Sequence, residues 1–275
     1  MQLVSNPTSV PGSGRLRFER VANRTAVVES YAASPLKFVN PSNHGTAAWV
    51  VSGTYGGGLL GGDAIGLNIA AGDHTQSVLM TQASTKVYRS DTPALQTLDC
   101  TVGSNALFVS APDRVACFAG SALKQVQKFT LAPEANLIVV DWISAGRLDS
   151  GERWRFDRYC NRIEIWQNNK LRFLDALALD SAHSSIGEKM RRFNTLATVV
   201  IMGPQLAAGA QELTQTLASE PLVQGATTRI AASPLGHDGI VLRCASEDIE
   251  ALGGRLRNAL KFVTSIIGDN PWARW

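Results

Sequence analysis

Histidine and cysteine are scarce in this 275-residue chain, which has four of each. His44, His74, His183 and His237 never stand at the i, i+2 or i, i+4 spacing that aims two imidazoles at one metal. Cys100, Cys117, Cys160 and Cys244 are equally scattered. That spacing excludes a paired C-x-x-C zinc site and a dense disulfide framework, so the cysteines read as small buried apolar residues of a reducing compartment. Long apolar runs are missing too. "LIVV" and "LATVVIM" fall far short of the ~20 residues that span a bilayer, and "MQLVSNPTSVPGSGRLRF" holds no apolar core of signal-peptide length. The reading is a soluble, cytoplasmic protein with no membrane partner. Nor does one sign of charge dominate: 26 basic and 23 acidic residues are spread along the chain for a net +3, which argues against nucleic acid as a partner.

What is present is a globular composition, 45% hydrophobic and 18% charged, sufficient for a substantial core. Residues 1–14, rich in proline, glycine and serine, read as a flexible leader, with 15–275 as one domain. From residue 15 to about 180 the pattern is one of short segments rich in β-branched residues and punctuated by glycine, proline, asparagine and aspartate. "AAWVVSGTY", "AIGLNIAAGD", "QSVLMTQASTKVYRS", "NALFVSAP" and "ANLIVVDW" are strand candidates, and Gln167–Lys170 makes a hairpin connection between "RIEIW" and "LRFL". No helix-period segment interrupts them, so βαβ alternation is absent and a mainly β, largely antiparallel body is expected. Two helices are expected in the last third. One follows Gly203-Pro204 with the stripe Leu206, Ala210, Leu213 and Leu217; the other is capped by Ser246 and carries Ile249, Leu252, Leu256, Leu260 and Val263 as far as Gly268.

The stretch "TYGGGLLGGD" contains Gly56, Gly58 and Gly61 at the G-x-G-x-x-G spacing of a dinucleotide loop. That chemistry needs a helix to open at the last glycine, whereas Asp63-Ala-Ile-Gly-Leu-Asn-Ile reads as a strand. The glycines therefore serve a strand connection, and Asp63 stands where backbone is unusually exposed. A hydrolase built on Ser150 lacks the G-x-S-x-G elbow. A nucleotide-dependent enzyme using the Gly56–Gly62 loop, or a hydrolase using Ser150, remains the alternative function. "GERWRFDRYCNR" reads as a solvated or partner-facing strand with cation–π contacts. The remaining chemistry is in carboxylates beside apolar runs: Asp141 after "LIVV", Asp113 in "APDR", Glu152 in "SGER" and Asp175 in "FLDAL". Taken singly, each such acid reads as a turn cap or an arginine partner, as Glu152 would be for Arg147 or Arg153.

The blocks "SPLK" (34–37), "YGGGLLGGD" (55–63), "TQASTKVYRS" (81–90), "VVDWISAGRLDSGERW" (139–154), "LRFLDALALD" (171–180) and the terminal "NPWARW" are collinear and cover most of the chain from residue 34 onward. In that order they resemble the urease accessory proteins of the UreD (UreH) family. Where many bacterial members carry a glutamate in a pattern like L-P-Q-E, this chain has Arg114 preceded by Asp113. The resemblance implies a β-helix-like assembly with a few helices, acting as a non-enzymatic scaffold. It implies binding to apo-urease, to the helical protein UreF and, through UreF, to the nickel-carrying GTPase UreG. It also implies that Ni²⁺ passes through a wet tunnel toward the dinuclear site of urease, with no tightly bound cofactor. Asp63, Asp141 and Glu152, then Asp113 and Asp175, are the weak nickel-transit candidates on that reading, because a conduit for a strongly hydrated ion needs scattered oxygens and no tight cage.

Overall fold

A computed structural model describes residues 10–272. The expected "NPWARW" terminus and the leader therefore lie partly outside the described residues, and the first strand opens at Ser13. β1 (Ser13–Val21) and β2 (Arg24–Ala32) form an antiparallel hairpin, and β3 (Leu36–Val39) pairs antiparallel with β4 (Ala48–Thr54). From there the chain coils. β5 (Ala64–Ala71) crosses to the opposite sheet and lies parallel to β1; β6 (Gln76–Thr81) returns parallel to β4. The short β7 (Thr85–Val87) turns a corner before β8 (Ala94–Val102) stacks parallel on β5. β9 (Leu107–Ala111), β10 (Val115–Cys117) and β11 (Ala122–Leu131) repeat this circuit, each parallel to its counterpart one coil earlier. β12 (Asn136–Ser144) and β13 (Arg158–Gln167) complete the next coil on β9 and β11.

Antiparallel additions close the far side. β14 (Lys170–Asp180) folds back on β13 through Asn168 and Asn169, both at positive φ, which is the predicted hairpin with the turn chemistry asparagine tolerates. After α1 (Ile186–Met190), β15 (Thr195–Met202) pairs with β12; α2 (Ala207–Ser219) follows, and β16 (Thr228–Leu235) and β17 (Gly239–Ser246) extend that sheet. α3 (Ile249–Ala259) and α4 (Val263–Ile267) end the described chain. Among the described residues no helix is long and apolar enough to cross a membrane.

The mainly β, β-helix-like class with C-terminal helices is as the sequence indicates. The strand pairing is mixed, parallel in the middle of both sheets and antiparallel at their edges, rather than largely antiparallel. In a coiled β architecture the connection between two parallel neighbours is a strand of the other sheet, so short strands with tight turns look the same in sequence as a meander. The second expected helix also differs in detail. Its cap is Asp248, whose carboxylate accepts from the Glu250 and Ala251 N–H groups, and the helix breaks at Leu260–Phe262 before Gly268 ends it at φ +78°. Ser246 instead accepts from the Asp248 N–H.

Three layers result. α2, α3 and α4 cover the outer face of the sheet containing β12 and β15, burying Leu206, Ala210, Leu252, Leu256, Leu260 and Val263 against it. That sheet is apolar on both faces, which is why its strands read as runs such as "LATVVIM". The opposite sheet faces solvent and alternates, as in β11, where Leu123, Gln125, Gln127, Phe129 and Leu131 point inward and are buried. The four cysteines are all free, with Cys100, Cys117 and Cys244 buried.

Candidate functional site

Between the sheets the core is not continuous. One apolar cluster holds Phe18, Val50, Phe108, Phe129 and Val139; another holds Leu59, Val87, Leu123, Ile143 and Phe156. A polar layer separates them. Along β12 the inward positions read Val139, Asp141, Ile143, and along β13 they read Ile163, Asn161, Tyr159. The polar positions are in register from strand to strand. Ser52 pairs with Thr81, Asp141 with Thr198, and Thr198 with Arg243 in one sheet, while Gln96, Gln125 and Asn161 align in the other. Because the coil advances one strand per turn, a polar residue recurring at one level of each coil becomes a band crossing the molecule perpendicular to the strands.

At one end this band opens as a cavity of about 540 Å³. Gly56, Gly57 and Gly58 frame its mouth beside Lys37 and Lys86; Thr81, Gln96, Ser110 and Asp113 line it; Gln125, Gln127 and Asp141 stand at its inner end. The glycine run thus serves the mouth. It leads into β5 and not into a helix, so the dinucleotide reading is not favoured. Gly56 and Gly57 have positive φ and nothing within 4 Å of a notional Cβ, leaving that backbone open. Gly58 is required for close approach: a Cβ there would lie 2.6 Å from the Lys86 carbonyl oxygen.

Asp141 is buried in the layer, 6% exposed. Its Oδ1 accepts from Gln125 Nε2 at 2.7 Å and Gln127 Nε2 at 2.8 Å, and its Oδ2 from Asn161 Nδ2 at 2.9 Å. These partners are neutral amides, so burial prevails and pushes the carboxyl up to about 6, with the charge of Asp175 adding to the rise. Asp113, 5% exposed, donates its N–H to Thr81 Oγ1 at 2.7 Å and accepts from the same hydroxyl at 3.4 Å. Two oxygen-rich stations therefore lie along one cavity.

The other candidates from the sequence are placed differently. Asp175 belongs to the same layer beyond Asp141, where Arg243 Nη1 and Nη2 grip its two oxygens at 2.7 and 2.9 Å. Glu152 lies outside the layer, pairing with Arg147 and accepting from the Ala119 N–H; the Arg147 hydrogen bond, then that of Ala119, hold its carboxyl below the ordinary range. Asp63 lies outside the cavity wall and accepts the Leu60 N–H at 2.8 Å, closing the glycine loop. Ser150 ends an exposed turn, Leu148–Ser150. Of the "GERWRFDRYCNR" arginines, Arg153 ties down the Phe193 carbonyl and Asn194, while Arg158 and Arg162 pair with Asp180 and Glu164. Gln125, Gln127, Asn161, Thr198 and Arg243 were not singled out by sequence reasoning, although a lone polar residue inside an inward-facing apolar period, as in "LKQVQKF", is a visible signal. Among the described residues no group of three or more histidine, cysteine, aspartate or glutamate side chains gathers as a metal cage.

The architecture defines a class: a coiled β scaffold whose interior is crossed by a polar, partly hollow band of amides, hydroxyls and carboxylates. The particular family follows from comparison. Residues 10–274 match the family described as UreD urease accessory protein. The chain is 45% identical to the urease accessory protein UreD of Sorangium cellulosum over 264 residues, covering 96% of this chain and 84% of that one. It is 34% identical to the urease accessory protein D of Oryza sativa subsp. indica, covering 94% of this chain and 95% of that one, and 32% identical to that of Arabidopsis thaliana, covering 95% and 99%. The chain belongs to the UreD family of urease accessory proteins.

Proposed function

We propose that this chain acts as a non-enzymatic scaffold that docks on apo-urease and conducts Ni²⁺ to it as cargo, receiving the ion through a UreF-like partner that brings a UreG-like GTPase. The observation that carries the proposal is the cavity that leads from the open glycine backbone to Asp113 and Asp141. Inward of Lys37 and Lys86 at the mouth, its polar side chains are hydroxyls, amides and carboxylates, the kind of lining that lets a hydrated divalent cation keep most of its water. Two carboxylates in series attract the ion. Among the described residues neither is gathered with histidines and thiolates that would retain it. Conduction requires binding weak enough to be left again, and neutral amide partners around Asp141 give a charge that is present at neutral pH yet surrounded by groups able to turn away from it.

Co-expression of urease subunits with this chain and the partner accessory proteins tests the proposal. Asp141→Asn is expected to lower the nickel content and activity of urease while the accessory complex still forms on apo-urease. Unchanged nickel content in a variant that docks normally would refute it.

A further inference from the structure

The polar layer continues past Asp141 but the cavity does not. Beyond the Gln125–Gln127–Asp141–Asn161 knot the band reaches Thr198, Asp175 and Arg243, none of which lines the hollow. Arg243 lies in register with Thr198 on the neighbouring strand, which in turn lies in register with Asp141. Its Nη1 donates to Thr198 Oγ1 at 2.8 Å and its guanidinium takes both oxygens of Asp175. Asp175 is on β14 and Arg243 on β17, so this one fork bridges the two sheets where the band reaches the surface. The Arg243 side chain is 50% exposed and that of Asp175 12%, so the pair forms the outermost lining of the layer. Tyr159, fully buried, points into the same region. Its hydroxyl has no hydrogen-bond partner among the described residues, and it feels the charges of both Asp141 and Asp175. A buried hydroxyl with no hydrogen-bond partner among the described residues is a polar group open to cargo or its hydration shell.

We propose that Arg243 is the gate at the far end of this layer: its guanidinium occupies the Asp175 carboxylate that a divalent cation arriving from Asp141 would otherwise take, and it swings outward when the cation displaces it. The inference rests on the conduit reading above. The exchange breaks no covalent bond: two charge-assisted hydrogen bonds at Asp175 are replaced by contact with the divalent cation or its bound water, and the half-exposed monovalent guanidinium is solvated outside. Because a cation must displace this fork to take Asp175, its hold there is weakened, which keeps the layer from acting as a reservoir. Asp141, its carboxyl raised by burial and further by the charge of Asp175, is the group from which the displacing ion comes.

The test measures Ni²⁺ retention by the purified full-length chain in equilibrium dialysis at neutral pH. Arg243→Gln leaves Asp175 unpaired and is expected to bind Ni²⁺ at least tenfold more tightly than the wild type, and Asp175→Asn added to it is expected to cancel the gain. Arg243→Lys keeps the charge but loses the fork, and is expected to fall between the two. Wild-type affinity in a folded Arg243→Gln protein would overturn the gate, as would a gain that survives Asp175→Asn. If Arg243→Gln does not fold, Arg243→Lys decides alone, and wild-type affinity there overturns the gate. The two readings fail separately: Asp141→Asn that delivers nickel normally defeats the conduit, whereas a normal effect of Asp141→Asn beside an unchanged Arg243→Gln defeats only the gate.

Discussion

Replacing Asp141 by asparagine removes a charge from the interior while conserving size, and its consequence for stability can be worked through. Burial, helped by the charge of Asp175 and opposed by the amides of Gln127 and Gln125, lifts this carboxyl from the ordinary 3.8 to about 6. The folded chain thus holds the proton more tightly than the unfolded chain. Between those two values the folded state binds more protons, and stability falls as pH rises through the window. At about 1.36 kcal/mol per tenfold change in acidity, the ionised carboxylate costs the fold about 3 kcal/mol at neutral pH. An amide in its place escapes that cost but sets an N–H against the donors of Asn161 or the glutamines, which takes back about 1 kcal/mol. Asp141→Asn is therefore expected to be about 2 kcal/mol more stable than the wild type at pH 7, a rise in melting temperature of roughly 5 °C, and to lose that advantage by about pH 4. Urea titration at both pH values reads this directly. Destabilisation by the same amount at both would show that Asp141 is a structural anchor and would refute the reasoning that its charge is kept at the expense of the fold.

Other consequences follow from the same geometry. Gly58→Ala places a Cβ 2.6 Å from the Lys86 carbonyl and the Tyr88 ring, so it is expected to distort the cavity mouth and lower urease activation with the chain still folded; unaltered activation would place the entrance elsewhere. Glu152→Gln loosens the Arg147 pair outside the layer, and a stability loss of about 1 kcal/mol with nickel delivery unchanged is expected; a delivery defect in a folded variant would bring Glu152 into the path. Leu256→Ala, in the core beneath the C-terminal helices, is expected to cost about 2–5 kcal/mol by denaturant titration, and a cost below 1 kcal/mol would mean that those helices are poorly anchored.

Much of this was legible in the residues. Hairpin asparagines at 168 and 169, the stripe of Leu206, Ala210, Leu213 and Leu217, and the glycine stop at 268 all act locally, and local chemistry is what a sequence displays. Pairing direction was not legible, because the partner of each central strand lies a full coil away, as Val78 and Val109 do. The site divides along the same line. Asp141 stood out against "LIVV", and Glu152 pairs with Arg147, one of the two neighbouring arginines that the sequence offers it, but only the fold places Asp175 in the interior layer. Gln125, Asn161 and Thr198 are unremarkable one at a time. Register alone assembles them into a band.

The most direct measurement compares two substitutions at one wall of the cavity, Gln96→Trp and Gln96→Ala, in urease matured with each variant of this chain. An indole ring obstructs the hollow and a methyl group widens it, so the nickel bound per urease active site should fall with tryptophan and hold with alanine, both variants forming the complex with apo-urease. Full nickel loading with the tryptophan variant would contradict passage of the ion through this layer.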